Sequence, residues 1–334
     1  MTTALGLVAA VLAVVLLRRL WARLRLSLAK HPGLVGHPRM ARLLARALPA
    51  YAFDEDEAFG VDGAPPDVVE RRQQSFFALA GRLRARAPRG IDATAALRTR
   101  VPDLDLTLRY RVPFAFARLV EAHLPGPRLV TRADGSWLTD LDGRRSLDLS
   151  GSYGVDLLGV ERYRDLVEEG WAATRDLGLV LGPTHPVMID NVARLRALSG
   201  HDAVSFHMSG TEAVMQAIRL ARYHTRRRHL VRFAGAYHGW SSDVQAGPGN
   251  PRAVRDVFTL SEMSPRTLAV LRTRSDIAAV LVNPLQALAP NRRPAADAAP
   301  LARSRSTVAT RDAYAGWLRE LREVCDDRGI VLIF

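Results

Sequence analysis

From Asp105 onward, short apolar runs alternate with stretches whose apolar residues recur at helical spacing. Leu129–Thr131 and Trp137–Asp140 flank Ala133-Asp134-Gly135, and Asp142-Gly143 turns the chain into Ser146–Leu149, the pattern of a small antiparallel meander. Leu157 to Gly182 is helix and loop, and Pro186–Ser199 is a helix with Val187, Val192, Leu195 and Leu198 apolar. Val204–Met208 suits a buried strand. Ser209-Gly210-Thr211-Glu212 then opens a helix with Ala213, Val214, Ala217, Ile218 and Ala221 on one face. Leu230–Phe233 is the next strand, and it delivers Tyr237-His238-Gly239 to a loop. Strands Val257–Leu260 and Ala278–Val282 enclose a helix at Pro265–Thr273. Asn291–Ala309 reads as a flexible loop, Asp312–Arg328 as a helix and Ile330–Phe334 as a buried strand. Strands and helices alternating in this way predict an α/β domain with a mostly parallel sheet.

The N-terminal third is patterned differently. Ala4–Leu17 is apolar apart from Gly6 and is followed by Arg18-Arg19. Extended through Leu20, Trp21 and Ala22, with snorkelling arginines, the run predicts a short membrane anchor, against a usual span of about 20 residues. An interfacial or buried helix is the alternative. The positive charge follows the apolar run, which argues against a cleaved signal peptide. The basic cluster from Arg18 to Lys30 would stay on the cytoplasmic side. That predicts a membrane-anchored protein with its main domain in the cytoplasm, or a cytoplasmic one if the segment is no anchor. Residues 29–105 read as a helical linker: Arg39–Leu48 is basic and amphipathic, Asp54–Glu57 is acidic, and Pro65-Pro66-Asp67 opens a helix to Arg86.

Composition narrows the chemistry. The net charge is +13, and Lys30 is the sole lysine among 47 basic residues. Residues 1–100 carry 16 Lys/Arg against 8 Asp/Glu, a basic excess that suits a membrane-proximal region. No stacked aromatics or recognition helix accompany the arginines, so no nucleic-acid partner is expected. Cys325 is the one cysteine, which excludes an internal disulfide framework and a cysteine-based metal cluster, and no metal site is expected.

The helix opening at Ser209 lies where a parallel strand should end, and free N–H groups there favour an anion. Tyr237, arriving from the next strand, can cover a flat ring held by such an anion. The competing reading of Ser209 with Glu212 is a capping box of an ordinary helix.

His207-Met208-Ser209-Gly210-Thr211-Glu212-Ala213, Arg219-Leu220-Ala221-Arg222 and Gly235-Ala236-Tyr237-His238-Gly239 together resemble class III pyridoxal-phosphate aminotransferases. Within that family they are most similar to the glutamate-1-semialdehyde 2,1-aminomutases. Asp140-Leu141-Asp142-Gly143, Asp148 to Gly159 and Cys325 to Phe334 agree in order, so the resemblance covers about 106–334. It implies the fold type I architecture of pyridoxal-phosphate-dependent transferases, incomplete here, behind an N-terminal anchor helix. The implied parts are 1–28 anchor, 29–105 linker, 106–165 part of the small domain and 166–334 a truncated cofactor-binding domain. It also implies pyridoxal 5'-phosphate as cofactor, a small amino compound as substrate and a homodimer.

Carried over residue by residue, Ser209, Gly210 and Thr211 would hold the cofactor phosphate, Tyr237 would stack on its ring, and His238 and Gly239 would shape the turn. Ser150, Gly151, Tyr153 and Gly154 would border the substrate entrance, and Gly182-Pro183-Thr184-His185 would line the same cleft. Asn283-Pro284 stands where the family often has Glu-Pro, a departure that leaves substrate identity open. Neither the Asp that pairs with the pyridinium nitrogen nor the Schiff-base lysine has a counterpart in this sequence, so no catalytic residue is assigned. Lys30 lies beside the apolar segment with none of the family's context. The run Ile330–Phe334 has the pattern of an interior strand, which predicts a C-terminally truncated fragment, inactive alone, of an aminotransferase or aminomutase. A membrane-anchored binding protein without turnover is the alternative.

Overall fold

The computed structural model describes residues 2–33, 36–47, 55–60, 62–102, 116–124, 129–149, 151–178, 180, 182–234, 237–245, 255–284 and 311–334. They fall into two compact units, Met1–Tyr51 with His207–Phe334, and Ala52–Phe206. The expected loop at Asn291–Ala309 lies outside the described residues.

The first unit is built on a parallel sheet of β4 (His229–Phe233), β5 (Val257–Leu260), β6 (Ile277–Leu281) and β7 (Val331–Ile333), in the order β5-β4-β6-β7. Alternation along β4 sends its side chains to two cores. Val231 and Phe233 pack with Leu268, Leu271, Trp317 and Leu321 of α11 (Pro265–Thr273) and α12 (Arg311–Arg328). Leu230 packs on the other face with Ile218 and Ala221 of α10 (Gly210–Thr225). The sheet is therefore covered on both faces, the requirement for a parallel sheet, and the mostly parallel α/β expectation holds.

One strand expectation fails and a second holds only in part. Val204–Met208 forms no strand, and Met208 is 95 % exposed; the stretch joins neither sheet of the described residues, so apolar content alone does not make a ladder. The terminal strand is half-buried, not buried, because among the described residues β7 pairs with β6 alone and Phe334 is exposed.

The N-terminal segment forms α1 (Thr2–Ala29), followed by α2 (Pro38–Ala47). The expected spanning anchor is not borne out: among the described residues no helix is long and apolar enough to cross a membrane. Arg18, Arg19, Arg23 and Arg25 interrupt the apolar run, and the last turn belongs to the sheet, with Ala29 buried and Leu26 against the same core. Pro32-Gly33 ends the helical run. His31 N donates to Thr259 O at 3.1 Å and Ser261 N to Ala29 O at 2.9 Å, so residues 29–31 cover the otherwise open edge of β5.

The second unit holds α3 (Glu55–Ala58), α4 (Pro66–Arg86), α5 (Pro88–Arg98) and α6 (Ala117–His123), then β1 (Val130–Asp134), β2 (Trp137–Asp140) and β3 (Arg145–Leu147). The strands form the predicted antiparallel meander, order β1-β2-β3. After them come α7 (Gly151–Gly154), α8 (Val160–Thr174) and α9 (Val187–Ser199). Asp140 Oδ1 accepts from Asp142 N and Arg144 N, both at 2.9 Å, and fixes the second turn. The Asp142 carboxylate accepts from Arg89 N and Gly90 N at 3.1 and 2.7 Å, neutralising the start of α5. The run Asp140–Gly143 thus has a structural task.

Candidate cofactor site

Position on the sheet comes first. The chain leaving the carboxyl end of β4 runs over the α10 face, where Val244 joins Ile218 and Ala221. The chain following β6 returns to the sheet through α12 on the opposite face. Adjacent strands whose connections part to opposite faces leave a crevice at their carboxyl ends, the usual ligand position in an open α/β sheet. A cavity of about 340 Å³ lies there, lined by Ala213, Val214 and Ala217 of α10, His238, Leu281 to Pro284, Ile333 and Phe334.

Beside it, α10 begins. Ser209 is its N-cap in extended conformation, and Ser209 Oγ accepts from Glu212 N at 3.2 Å. Glu212 Oε2 accepts from Met208 N at 3.0 Å, one residue before the cap. The Ser209 half of the capping box is therefore present, while the Glu212 carboxylate takes Met208 N in place of Ser209 N; the N–H groups of Gly210 and Thr211, ahead of the capped one, have no intrahelical acceptor.

Gly239 joins the two halves of the motif. It has φ +87°, and a Cβ there would stand 2.6 Å from Thr211 Oγ1 and 2.9 Å from Thr211 Cα. Only glycine allows this approach. The turn from β4 and the first turn of α10 are thereby held in contact. His238 is buried, with Nε2 unpaired among the described residues. Burial, and secondarily the Arg232 charge, push its pKa down to about 4. His238 is a neutral imidazole at pH 7, able to donate one hydrogen bond and accept another. Tyr237, one residue before it, is exposed.

Of the sequence candidates, the structure brings together Ser209, Gly210, Thr211, His238 and Gly239, with Tyr237 beside them and Asn283 half-buried on the cavity wall. Ser150 lies outside the described residues, as does the Tyr153 side chain. Thr184 is exposed and belongs to the other unit, as does Tyr153. Lys30 is absent from the cavity lining and pairs with Leu260 at the β5 edge. Sequence reading assigned Ala213, Val214 and Ala217 to the core alone and passed over Arg232, whose one signal was a charged residue inside the run His229–Phe233.

A family model, that of class-III aminotransferases, matches residues 120–334. The chain belongs to the class-III aminotransferase family. Glutamate-1-semialdehyde 2,1-aminomutase 1 of Lachnoclostridium phytofermentans is 32 % identical over 226 residues, 62 % of this chain and 48 % of the relative. The corresponding aminomutase of Deinococcus radiodurans is 39 % identical over 127 residues, 37 % of this chain and 28 % of that protein. The crystal structure of a glutamate-1-semialdehyde-aminomutase from Pseudomonas aeruginosa PAO1 superposes with TM-score 0.59 at 20 % identity, over 79 % of this chain and 55 % of that one. At that identity the superposition speaks for the fold alone. The chain spans about half the length, or less, of these curated relatives. Class-III aminotransferases are enzymes that use pyridoxal 5'-phosphate. The residues at the crevice fit that group: an open helix start for a phosphate, a glycine-tight turn and a largely apolar cavity with Asn283 and His238 as polar contacts.

Proposed function

We propose that this chain supplies the cofactor-docking part of a pyridoxal-phosphate-dependent amino-group transferase or 2,1-aminomutase acting on a small amino compound. The contact of Gly239 with Thr211 at the carboxyl crevice carries this reading. Bound there, the cofactor would supply an electron sink for chemistry at an amino-bearing carbon. The backbone N–H groups at Gly210 and Thr211 and the Thr211 hydroxyl would hold its phosphate, and Ser209 would keep the helix start open to it. Tyr237 would cover the ring and exclude water. His238 would hold the turn as a neutral group, and Asn283 would meet the ligand from β6. The assignment of 106–165 and 166–334 to small and cofactor-binding domains belongs to the same proposal, with Ser150, Tyr153 and Thr184 on the substrate side and a homodimer as the working assembly.

Residues 31–334 contain no lysine, so this chain by itself would bind the cofactor without covalent capture and without turnover. The position of Lys30 at the β5 edge supports that reading. Titration of the purified chain with pyridoxal 5'-phosphate, followed by fluorescence, tests it: saturable binding that Gly239→Ala weakens supports the site, and its absence refutes it. At the N-terminus, Leu7, Val11 and Leu17 are exposed on α1 next to Arg18 and Arg19. The cluster Arg18, Arg19, Arg23 and Arg25 beside this apolar stretch supports association with an anionic lipid surface in place of a span. Flotation with anionic and with neutral vesicles checks it, and equal recovery from both, or from neither, argues against it.

A further inference from the structure

Arg232 occupies a core position. It faces the α10 side of β4, in register with Thr259 of β5 and Leu281 of β6, and only 5 % of it is exposed. Its Nη1 donates to Val244 O at 2.6 Å, and among the described residues its Nε has no partner and no carboxylate forms an ion pair with it. The nearby Asp243 is taken by Arg222 at 2.7 Å. A buried charge without an opposite charge is costly, and proteins retain one where a ligand completes it. Two neighbours of Arg232 line the cavity: Leu281, its register partner, and His238, whose pKa is lowered first by burial and then by the Arg232 charge. Burial alone lowers the Arg232 pKa, to about 10, so the guanidinium stays charged at neutral pH.

We propose that Arg232 is a positioning residue that makes the cavity selective for a ring ligand bearing a phosphate, acting through its uncompensated charge beneath the cavity floor and not by direct stacking. This rests on the cofactor-docking reading and assigns to Arg232 the discrimination between phosphorylated and unphosphorylated ligands. Field lines from a buried cation reach an anion in the crevice with little screening, whereas a neutral ring gains nothing from them. The Val244 bond anchors the guanidinium so that its charge cannot swing away to water.

The test compares pyridoxal 5'-phosphate with pyridoxal on the full chain, by fluorescence titration, for the native protein, Arg232→Lys and Arg232→Met. The native chain should prefer the phosphate by at least about tenfold, and inorganic phosphate should compete. Arg232→Lys should keep most of that preference. Arg232→Met should lose about tenfold in affinity for pyridoxal 5'-phosphate and change little for pyridoxal. Equal losses for both ligands would show a structural role only and overturn the proposal, as would an unchanged preference in Arg232→Met. Should Arg232→Met not fold, a native chain that binds the two ligands equally, or Arg232→Lys without preference, overturns it as well. Failure of every ligand to bind the native chain would instead refute the docking reading itself.

Discussion

α12 and α9 both carry recurring apolar residues and end in opposite conditions. α12 buries Tyr314, Trp317, Leu321, Val324 and Cys325 against the parallel sheet. α9 buries none of its residues, and Leu198 is 85 % exposed. The two helices differ in what their own unit offers them. The first unit has a four-stranded sheet with a second helix beside α12, whereas the second has a three-stranded meander. Periodicity tells which face of a helix is apolar, and a partner layer decides whether that face is buried. Within the first unit, the site candidates Thr211, His238 and Gly239 come together on the sheet that α12 helps to cover.

The largest test of this contrast is in the cores. Leu321→Ala should lower stability by about 2–5 kcal/mol through the lost burial and the cavity left behind, while Leu198→Ala should stay within about 0.5 kcal/mol, both by denaturant unfolding. Comparable losses would mean that α9 is packed as tightly as α12.

His238 gives the next effect. Its ordinary pKa is 6.5 and burial in the folded chain pushes it down to about 4. As pH falls, the unfolded chain takes up this proton first. The contribution is therefore complete above about pH 6.5 and is lost progressively toward pH 4, by up to about 3 kcal/mol. His238→Gln should flatten unfolding stability across that window; an unchanged slope would place the pH dependence elsewhere.

Two glycines sharpen the comparison further. Gly239→Ala drives a Cβ into Thr211 at a positive φ and should cost about 1–3 kcal/mol together with cofactor affinity. Gly170→Ala, in α8 with open space around it, should be neutral or stabilise by up to about 1 kcal/mol. A modest loss is expected at the helix start. Ser209→Ala should cost about 1 kcal/mol through loss of the cap, read by thermal unfolding.

Much of the sheet was legible because its strands are short, apolar and bounded by turns, and the helix at Pro265–Thr273 appears at the residues expected. The failure at Val204–Met208 shows the limit: strand propensity does not supply a pairing partner. The anchor expectation failed as a span because the run Ala4–Leu17 is followed by four arginines, and its helix ends by covering an open sheet edge, a contact more than 200 residues away in sequence. At the site, Ser209–Thr211 and Tyr237–Gly239 could be named from local motifs. Arg232 could not, since its lack of a carboxylate partner is a property of tertiary packing.

The central claim is that the crevice beside Thr211 and Gly239 holds pyridoxal 5'-phosphate without a covalent link from this chain. Equilibrium binding followed by borohydride reduction, denaturing removal of free ligand and mass measurement tests it directly. Saturable binding and an unmodified protein mass after reduction are expected. Absence of binding, or stoichiometric cofactor attached at Lys30, would contradict it.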